Sequence, residues 1–301
     1  AMDKYDQFKL SAVGVLVGVN SLGTIKNCYS IGNINVQSFM GGGLVGFNGG
    51  IVEYCYSKVN VNVGEKIYNN NSGGLIGYMD DFSNSTEYQS ICQKSYAKGN
   101  VYGTVAGGLI GGMSGGIVTD CYNFGNVYGQ QSAGGIVGNQ VRGIIKNSYV
   151  TGNIVGKEVE VSSTKALSNS YDLYKDASGI CPWPTGEIFN CVVLSPRIES
   201  YGGLVGYITC VENSINTAEY IKGCYILNDT VLLSGGKIKE NLTYESMFRN
   251  RGELTDQLFY EEMGWKFTGE DAVWEFSGEY ELPKLIGVGG QDDLITPEHL
   301  R

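Results

Sequence analysis

The chain has 301 residues, 42% of them hydrophobic, enough to build a core for one elongated domain or two compact ones and too many for a disordered chain. Its net charge of −10 argues against nucleic-acid phosphates as a partner, and no apolar run reaches the roughly 18 residues that a membrane-spanning helix needs. Glycine, at 45 residues, is about twice its usual share. Five prolines without a Gly-X-Y period exclude collagen, and 21 tyrosines with many Val and Ile residues point to an all-β chain rich in tight turns.

Ala1 to Leu10 lacks the basic-then-apolar order of a signal peptide. Ala1-Met2 reads as a cloning scar, so the chain is expected to be a fragment of a longer secreted protein, with residues 1–13 forming the scar and an N-terminal edge.

From residue 14 the chain repeats. Gly-Gly-Leu/Ile-Val/Ile-Gly ends at Gly46, Gly77, Gly111, Gly138 and Gly206, with a weaker copy at Val15 to Gly18. A small residue followed by tyrosine falls at Cys28-Tyr29, Cys55-Tyr56, Ser95-Tyr96, Cys121-Tyr122, Ser148-Tyr149 and Cys224-Tyr225, with Cys191-Val192 as a degenerate copy. Where nothing intervenes the tyrosines recur every 26 or 27 residues. Short alternating runs broken by Gly and Asn favour strands over a helical repeat. Such a unit cannot bury its apolar face alone, so the expected architecture is a parallel β-helix or β-solenoid of about seven stacked coils, roughly 30 to 35 Å long. Two ladders are expected to line its interior. The small-residue position gives Cys28, Cys55, Ser95, Cys121, Ser148, Cys191 and Cys224. An isoleucine position before it gives Ile25, Ile51, Ile91, Ile117, Ile144, Ile188 and Ile221. Whether Leu44 or Val45 joins them stays open.

The segment from Gly42-Gly43-Leu44-Val45-Gly46-Phe47-Asn48-Gly49-Gly50-Ile51 through Cys55-Tyr56-Ser57, with a second copy from Gly107 to Gly129, resembles the GLUG repeat family. The resemblance spans about residues 14 to 235. It implies a β-helix-like region of bacterial adhesins or of secreted immunoglobulin A metallopeptidases, in which the repeats are not catalytic.

The solenoid is assigned to residues 14–240, with insertions at 78–94, 157–187 and 207–223 leaving its turns. Residues 14 to 156 carry six acidic side chains and residues 157 to 301 carry 23, so the two halves differ in character. Thr243 to Arg249 and Glu253 to Met263 read as short helices capped by Thr243 or Thr255, and two alternating runs follow at Gly264 to Phe267 and Val273 to Phe276. Residues 241–288 are therefore expected to form a small α+β cap on the solenoid's end, and 289–301 a linker or tail.

One histidine, His299, leaves no Ser-His-Asp or Cys-His arrangement and no His-Glu-x-x-His zinc site. Paired carboxylates remain as an enzymatic alternative: Asp80-Asp81, Asp120 and Glu212 would act on a polysaccharide if they faced one another, although solvated loop charge is the plainer reading. Asp80-Asp81 with Asn84 offers a sparse oxygen set for calcium; no other cofactor is indicated. Of the eight cysteines, five share the small-residue ladder with serine, which favours buried filler over disulfides, and Cys92, Cys181 and Cys210 lie off it. Tyr88, Tyr171, Tyr174, Trp183 and Tyr201, in or beside insertions, are the candidate ligand-binding residues, for a host glycan, a host protein or neighbouring domains. The function expected is a non-enzymatic extracellular or cell-surface module, adhesin-like or spacer. The alternatives are an accessory domain of a secreted immunoglobulin A metallopeptidase and a polysaccharide-acting enzyme.

Overall fold

Every repeat turns its backbone at one left-handed residue. Asn27, Tyr54, Lys94, Asp120, Asn147 and Asn190 have φ between 47° and 55°, and Gly223 takes the same place at 63°. The structure, a computed structural model, describes residues 11–64, 70–81, 89–157, 175–210, 220–239, 245–277 and 280–301. Among these, the left-handed arches mark seven coils of parallel strands. The second coil shows the plan: Met40–Gly42, Val45–Asn48, Ile51–Glu53 and Tyr56–Val63 form its four sides. It pairs in parallel with Ala12–Gly14, Val17–Asn20, Thr24–Lys26 and Tyr29–Val36 below, and with Asn71–Gly73 and Ile76–Met79 above.

The glycine signature is a pinch in the coil's cross-section. A Cβ on Gly42 would stand 1.8 Å from the Val45 carbonyl oxygen and 2.6 Å from the Gly77 nitrogen; one on Gly46 would meet the backbone of Gly18, Ala12 and Val13 at 2.6 to 2.8 Å. Two strands therefore lie with their backbones in contact, which only glycine permits. The two apolar residues between these glycines are then enclosed. Leu44 and Val45 are fully buried, as are Leu75 and Ile76, and Leu109 and Ile110.

The arch explains why cysteine and serine interchange. Each Sγ or Oγ donates to the carbonyl two residues earlier, as in Cys55 to Glu53 (3.2 Å), Ser95 to Gln93 (2.7 Å), Cys121 to Thr119 (3.2 Å) and Ser148 to Lys146 (2.8 Å). The same atom accepts the amide of the preceding coil: Cys28 N to Cys55 Sγ (3.4 Å), Cys55 N to Ser95 Oγ (3.0 Å) and Cys121 N to Ser148 Oγ (3.2 Å). A thiol or hydroxyl thus closes two backbone groups that the arch takes out of the ladder. Burial pushes the Cys55 thiol up to about 12, which keeps its proton in place as a donor at neutral pH. All eight cysteines are free thiols.

The arch also corrects the isoleucine ladder. Ile51, Ile91, Ile117 and Ile144 share a register with Thr24 and Glu187 and are only half-buried; the inward ladder lies one residue later, at Ile25, Val52, Cys92, Val118, Ile145, Ile188 and Ile221. The expected ladder mixes residues three and four before the Cys/Ser position; only those three before it, Ile25, Ile188 and Ile221, point inward, because the left-handed residue between them and the cysteine resets the alternation. Cys92 is therefore a ladder residue, and the Cys121 thiol reaches its carbonyl at 3.6 Å. A second inward ladder, Ile34, Val61, Val101, Val127, Ile154, Ile198 and Leu232, crosses all seven coils. At the neighbouring corner an asparagine stack links coils: Asn60 Nδ2 donates to Asn33 Oδ1, and the amides of Asn100, Asn126 and Asn153 each donate to the preceding Asn side chain at 2.8 to 3.0 Å.

The insertions are shorter than expected. Asp176–Ser178 and Glu187–Phe189 are strands of the sixth coil, and Val205–Gly206 and Ile221–Lys222 belong to the seventh, so residues assigned to insertions at 157–187 and 207–223 include regular turns of the solenoid. Likewise Ile76–Met79 and Ile91–Ala97 bound the insertion expected at 78–94.

The C-terminal segment does not sit on the end as a cap, and 289–301 is not a free tail. Within this segment Phe248–Arg249 extends the rod, pairing beyond Ile226–Leu227. Two short helices follow, α1 (Arg251–Leu254) and α2 (Gln257–Glu262), with Asn250 and Asp256 as their N-caps rather than a threonine. From there the chain runs back along the outer side that carries the tyrosines. Tyr29, Tyr56, Tyr96, Tyr122 and Tyr149 stack with ring centroids 4.7 to 5.1 Å apart, since in-register strands place identical side chains one coil apart. Such a column leaves a long apolar flank. Tyr260, Trp265, Trp274, Tyr280, Leu282 and Leu285 bury it together with Tyr96, Tyr122, Tyr149, Val192 and Leu194. The tyrosine hydroxyls anchor the strap: Tyr96 donates to Gly290 O (2.7 Å), Tyr122 to Gln291 Oε1 (2.9 Å) and Tyr149 to Pro283 O (2.8 Å). Asp293 bridges Lys58 and Lys98, and the His299 ring is 2.7 Å from Leu194 O through Nε2.

Candidate binding surface on the sixth and seventh coils

Of the groups that sequence chemistry singled out for catalysis or metal binding, Asp80, Asp81 and Asp120 are held in the fold. Asp81 accepts the Ser90 amide (2.7 Å) and hydroxyl (3.0 Å). Asp80 is buried, which raises its carboxyl above the usual range, against the opposing pull of a Ser114 hydrogen bond and the Arg142 charge. Asp120 occupies an arch and accepts Trp274 Nε1 (3.3 Å), Asn147 Nδ2 (3.3 Å) and Thr119 Oγ1 (2.7 Å). Glu212 and Asn84 lie outside the described residues. Among the described residues no three His, Cys, Asp or Glu side chains converge as a metal site would require.

Trp183 and the turn that carries Tyr201, in contrast, are tied to one buried carboxylate, which holds the Trp183 indole and the amide of Leu204, three residues after Tyr201. Asp176 opens the first strand of the sixth coil; its Oδ2 accepts Trp183 Nε1 at 2.5 Å and its Oδ1 the Leu204 amide at 2.6 Å. Burial drives the Asp176 carboxyl pKa up, and those two bonds partly offset the rise. Pro182 and Pro184 flank the indole and fix the backbone on both sides; Pro184 bridges Gln140 of the coil below, and Pro182 accepts the Cys210 amide (2.9 Å). The Tyr201 amide donates to Gly156 O (2.8 Å), and Gly203 N donates to Ser200 Oγ (2.8 Å). Both rings are thus tied to the frame yet open to solvent: Trp183 is 38% exposed, Tyr201 40% and Leu204 45%. Lys157 lies over the Tyr201 ring, 5.4 Å from its centroid. Arg197 pairs with the buried Glu199 beside it, and the nearby Glu199 carboxylate is the main cause of the Tyr201 phenol's raised pKa.

The other three candidates, Tyr88, Tyr171 and Tyr174, lie outside the described residues. Sequence reasoning missed Asp176, Arg197, Glu199 and Leu204, because no local motif announces contacts made across coils. The available signal was proline: two of only five in the chain bracket Trp183.

A family model for the GLUG motif matches residues 129–155, the stretch from the fourth coil's last strand to the end of the fifth. No curated protein sequence matches the chain. A crystal structure from Bacteroides ovatus, described as a putative immunoglobulin A1 protease, is similar to the chain with a TM-score of 0.60 at 19% identity, covering 89% of this chain and 76% of that one. At that identity the likeness speaks to the fold.

Proposed function

We propose that this GLUG-motif solenoid is a non-catalytic binding rod of a larger secreted or surface-attached protein, with its ligand contacts at the Trp183–Asp176–Tyr201 turn. The observation that carries the proposal is the pairing of exposure with fixation: two aromatic rings stay open to solvent while their polar and backbone groups are tied to the coils. Aromatic side chains held this way bind at little cost in conformational entropy. The carboxylates Asp81 and Asp120 and the one histidine serve the fold instead, which supports a passive role.

The test is binding without turnover. The whole chain is screened against host glycans and immunoglobulin A, with Trp183→Ala and Tyr201→Ala alongside. Retention of ligand that both substitutions weaken is expected; cleavage of a glycan or of immunoglobulin by the purified chain would sink the reading. A narrower version, an accessory module for an immunoglobulin A peptidase, draws support from the Bacteroides ovatus structure, whose described activity would then reside outside this rod. It predicts that immunoglobulin A, rather than free glycan, is the retained ligand.

A further inference from the structure

Resting on that binding-rod reading, we infer that the turn is a saccharide subsite: an uncharged oligosaccharide lays a C–H face on Trp183 and Tyr201, and its ring oxygens and hydroxyls accept from Arg197 and Lys157. The argument begins with which groups face outward. Glu199 is buried, whereas the Arg197 side chain is 47% exposed, so Glu199 fixes one side of the guanidinium and leaves its remaining N–H groups for a ligand. Tyr201 stands between this pair and Lys157, whose ammonium lies over the ring. Trp183 reaches the same turn through Asp176 and Leu204.

Planar aromatic faces bordered by fixed donors suit a sugar, which offers alternating C–H patches and hydroxyls. A protein partner fits less well. Stable protein interfaces cover on the order of 800 Å² per partner and deplete Lys and Glu from the centre, yet Lys157 and Glu199 stand directly beside the ring here. The local charges of Lys157 and Arg197 are matched by Glu199 and Asp176, while residues 157 to 301 as a whole carry 23 acidic side chains. The acidity of this half as a whole disfavours sialylated or sulfated sugars.

The chain supplies its own reporter. Of its three tryptophans, Trp265 and Trp274 are buried at 3% and 0% exposure, so iodide quenching of tryptophan emission senses Trp183. The full chain is titrated with defined uncharged oligosaccharides and their sialylated counterparts, following iodide quenching and affinity. The expected result is protection of Trp183 by an uncharged oligosaccharide, loss of the quenchable signal in Trp183→Phe, and affinity weakened about tenfold by either Tyr201→Ala or Arg197→Ala. Absence of protection across the uncharged panel overturns the inference, as does a preference for the sialylated forms or indifference to both substitutions. Trp183-dependent binding of enzymatically deglycosylated immunoglobulin A would also overturn the sugar class while leaving the binding rod standing. Release of reducing ends would instead overturn the rod's passive role.

Discussion

At the scale of single residues, the arch makes a sharp demand on side-chain chemistry. Cys55 both donates to Glu53 O and accepts the Cys28 amide, so serine should replace it within about 1 kcal/mol, whereas alanine orphans both backbone groups and should cost about 1–3 kcal/mol in urea unfolding. Equal losses for the two variants would reduce the thiol to mere filler. The Cys/Ser exchange was legible in the sequence; its reason was not, because the amide that each side chain accepts lies about 27 to 40 residues away in the preceding coil. His299 carries the residue-scale pH dependence. Burial lowers its pKa below 6.5, opposed by the bond to Leu194 O, so the unfolded chain takes up a proton at higher pH than the folded one does. Its contribution to stability is present above about 6.5 and is lost as pH falls towards the folded value. Denaturant midpoints measured from pH 7 to 5 should decline less steeply in His299→Gln than in the parent. Asp176 acts in the opposite sense: with its pKa raised, its burial weighs on the fold at neutral pH and is relieved on acidification.

At the scale of elements, the tyrosine column and the strap depend on each other. The Gly-Gly and Cys-Tyr signatures revealed the solenoid because each coil repeats the same local geometry, and the repeat could be seen by aligning the chain with itself. The strap does not repeat, and its partners are found by hydrophobic complementarity along a flank, so the sequence suggested a cap where the structure has a brace. A solenoid's end is a plausible place for an apolar segment only until the tyrosines are seen to leave a larger apolar surface on the side. Trp274 is fully buried, packs on Trp265 at 4.6 Å between centroids and donates to Asp120. Trp274→Ala should therefore cost about 3–5 kcal/mol, and Tyr122→Phe, which removes only the bond to Gln291, about 1 kcal/mol. Near-equal unfolding midpoints for Trp274→Ala and the parent would mean that the strap is not integral to the rod. The binding turn was legible in part: Trp183 and Tyr201 stand out as aromatics beside insertions, while the carboxylate that joins Trp183 to the Leu204 amide comes from a strand that falls inside an expected insertion.

At the scale of the whole molecule, the strap changes how a repeat protein should come apart. A bare solenoid couples only neighbouring coils and frays from its ends. Here one segment touches the second coil at Lys58, the third at Tyr96 and Lys98, the fourth at Tyr122 and the fifth at Tyr149, and its Trp265 indole donates to Asn190 O of the sixth. The strap's Phe259 also packs edge-on against Tyr225 of the seventh, so coils two to seven are fastened to a common brace, and the first coil lies beyond it: Tyr29, the last ring of the column, is 58% exposed while Tyr96, Tyr122 and Tyr149 are fully buried. Native-state hydrogen exchange should accordingly show amides of Tyr29–Val36 opening early and independently, with strands of the second to seventh coils opening together near the global unfolding free energy. Shortening the chain after Arg249 should convert that block into a gradient of protection falling from the middle coils towards both ends, and should expose the tyrosine flank to hydrophobic dyes. A gradient already present in the intact chain would mean that stacking alone sets the stability and that the strap only shields the column. Uniform protection reaching through the first coil would mean that cooperativity is carried by the interior ladders, which cross all seven coils, rather than by the brace across their flank.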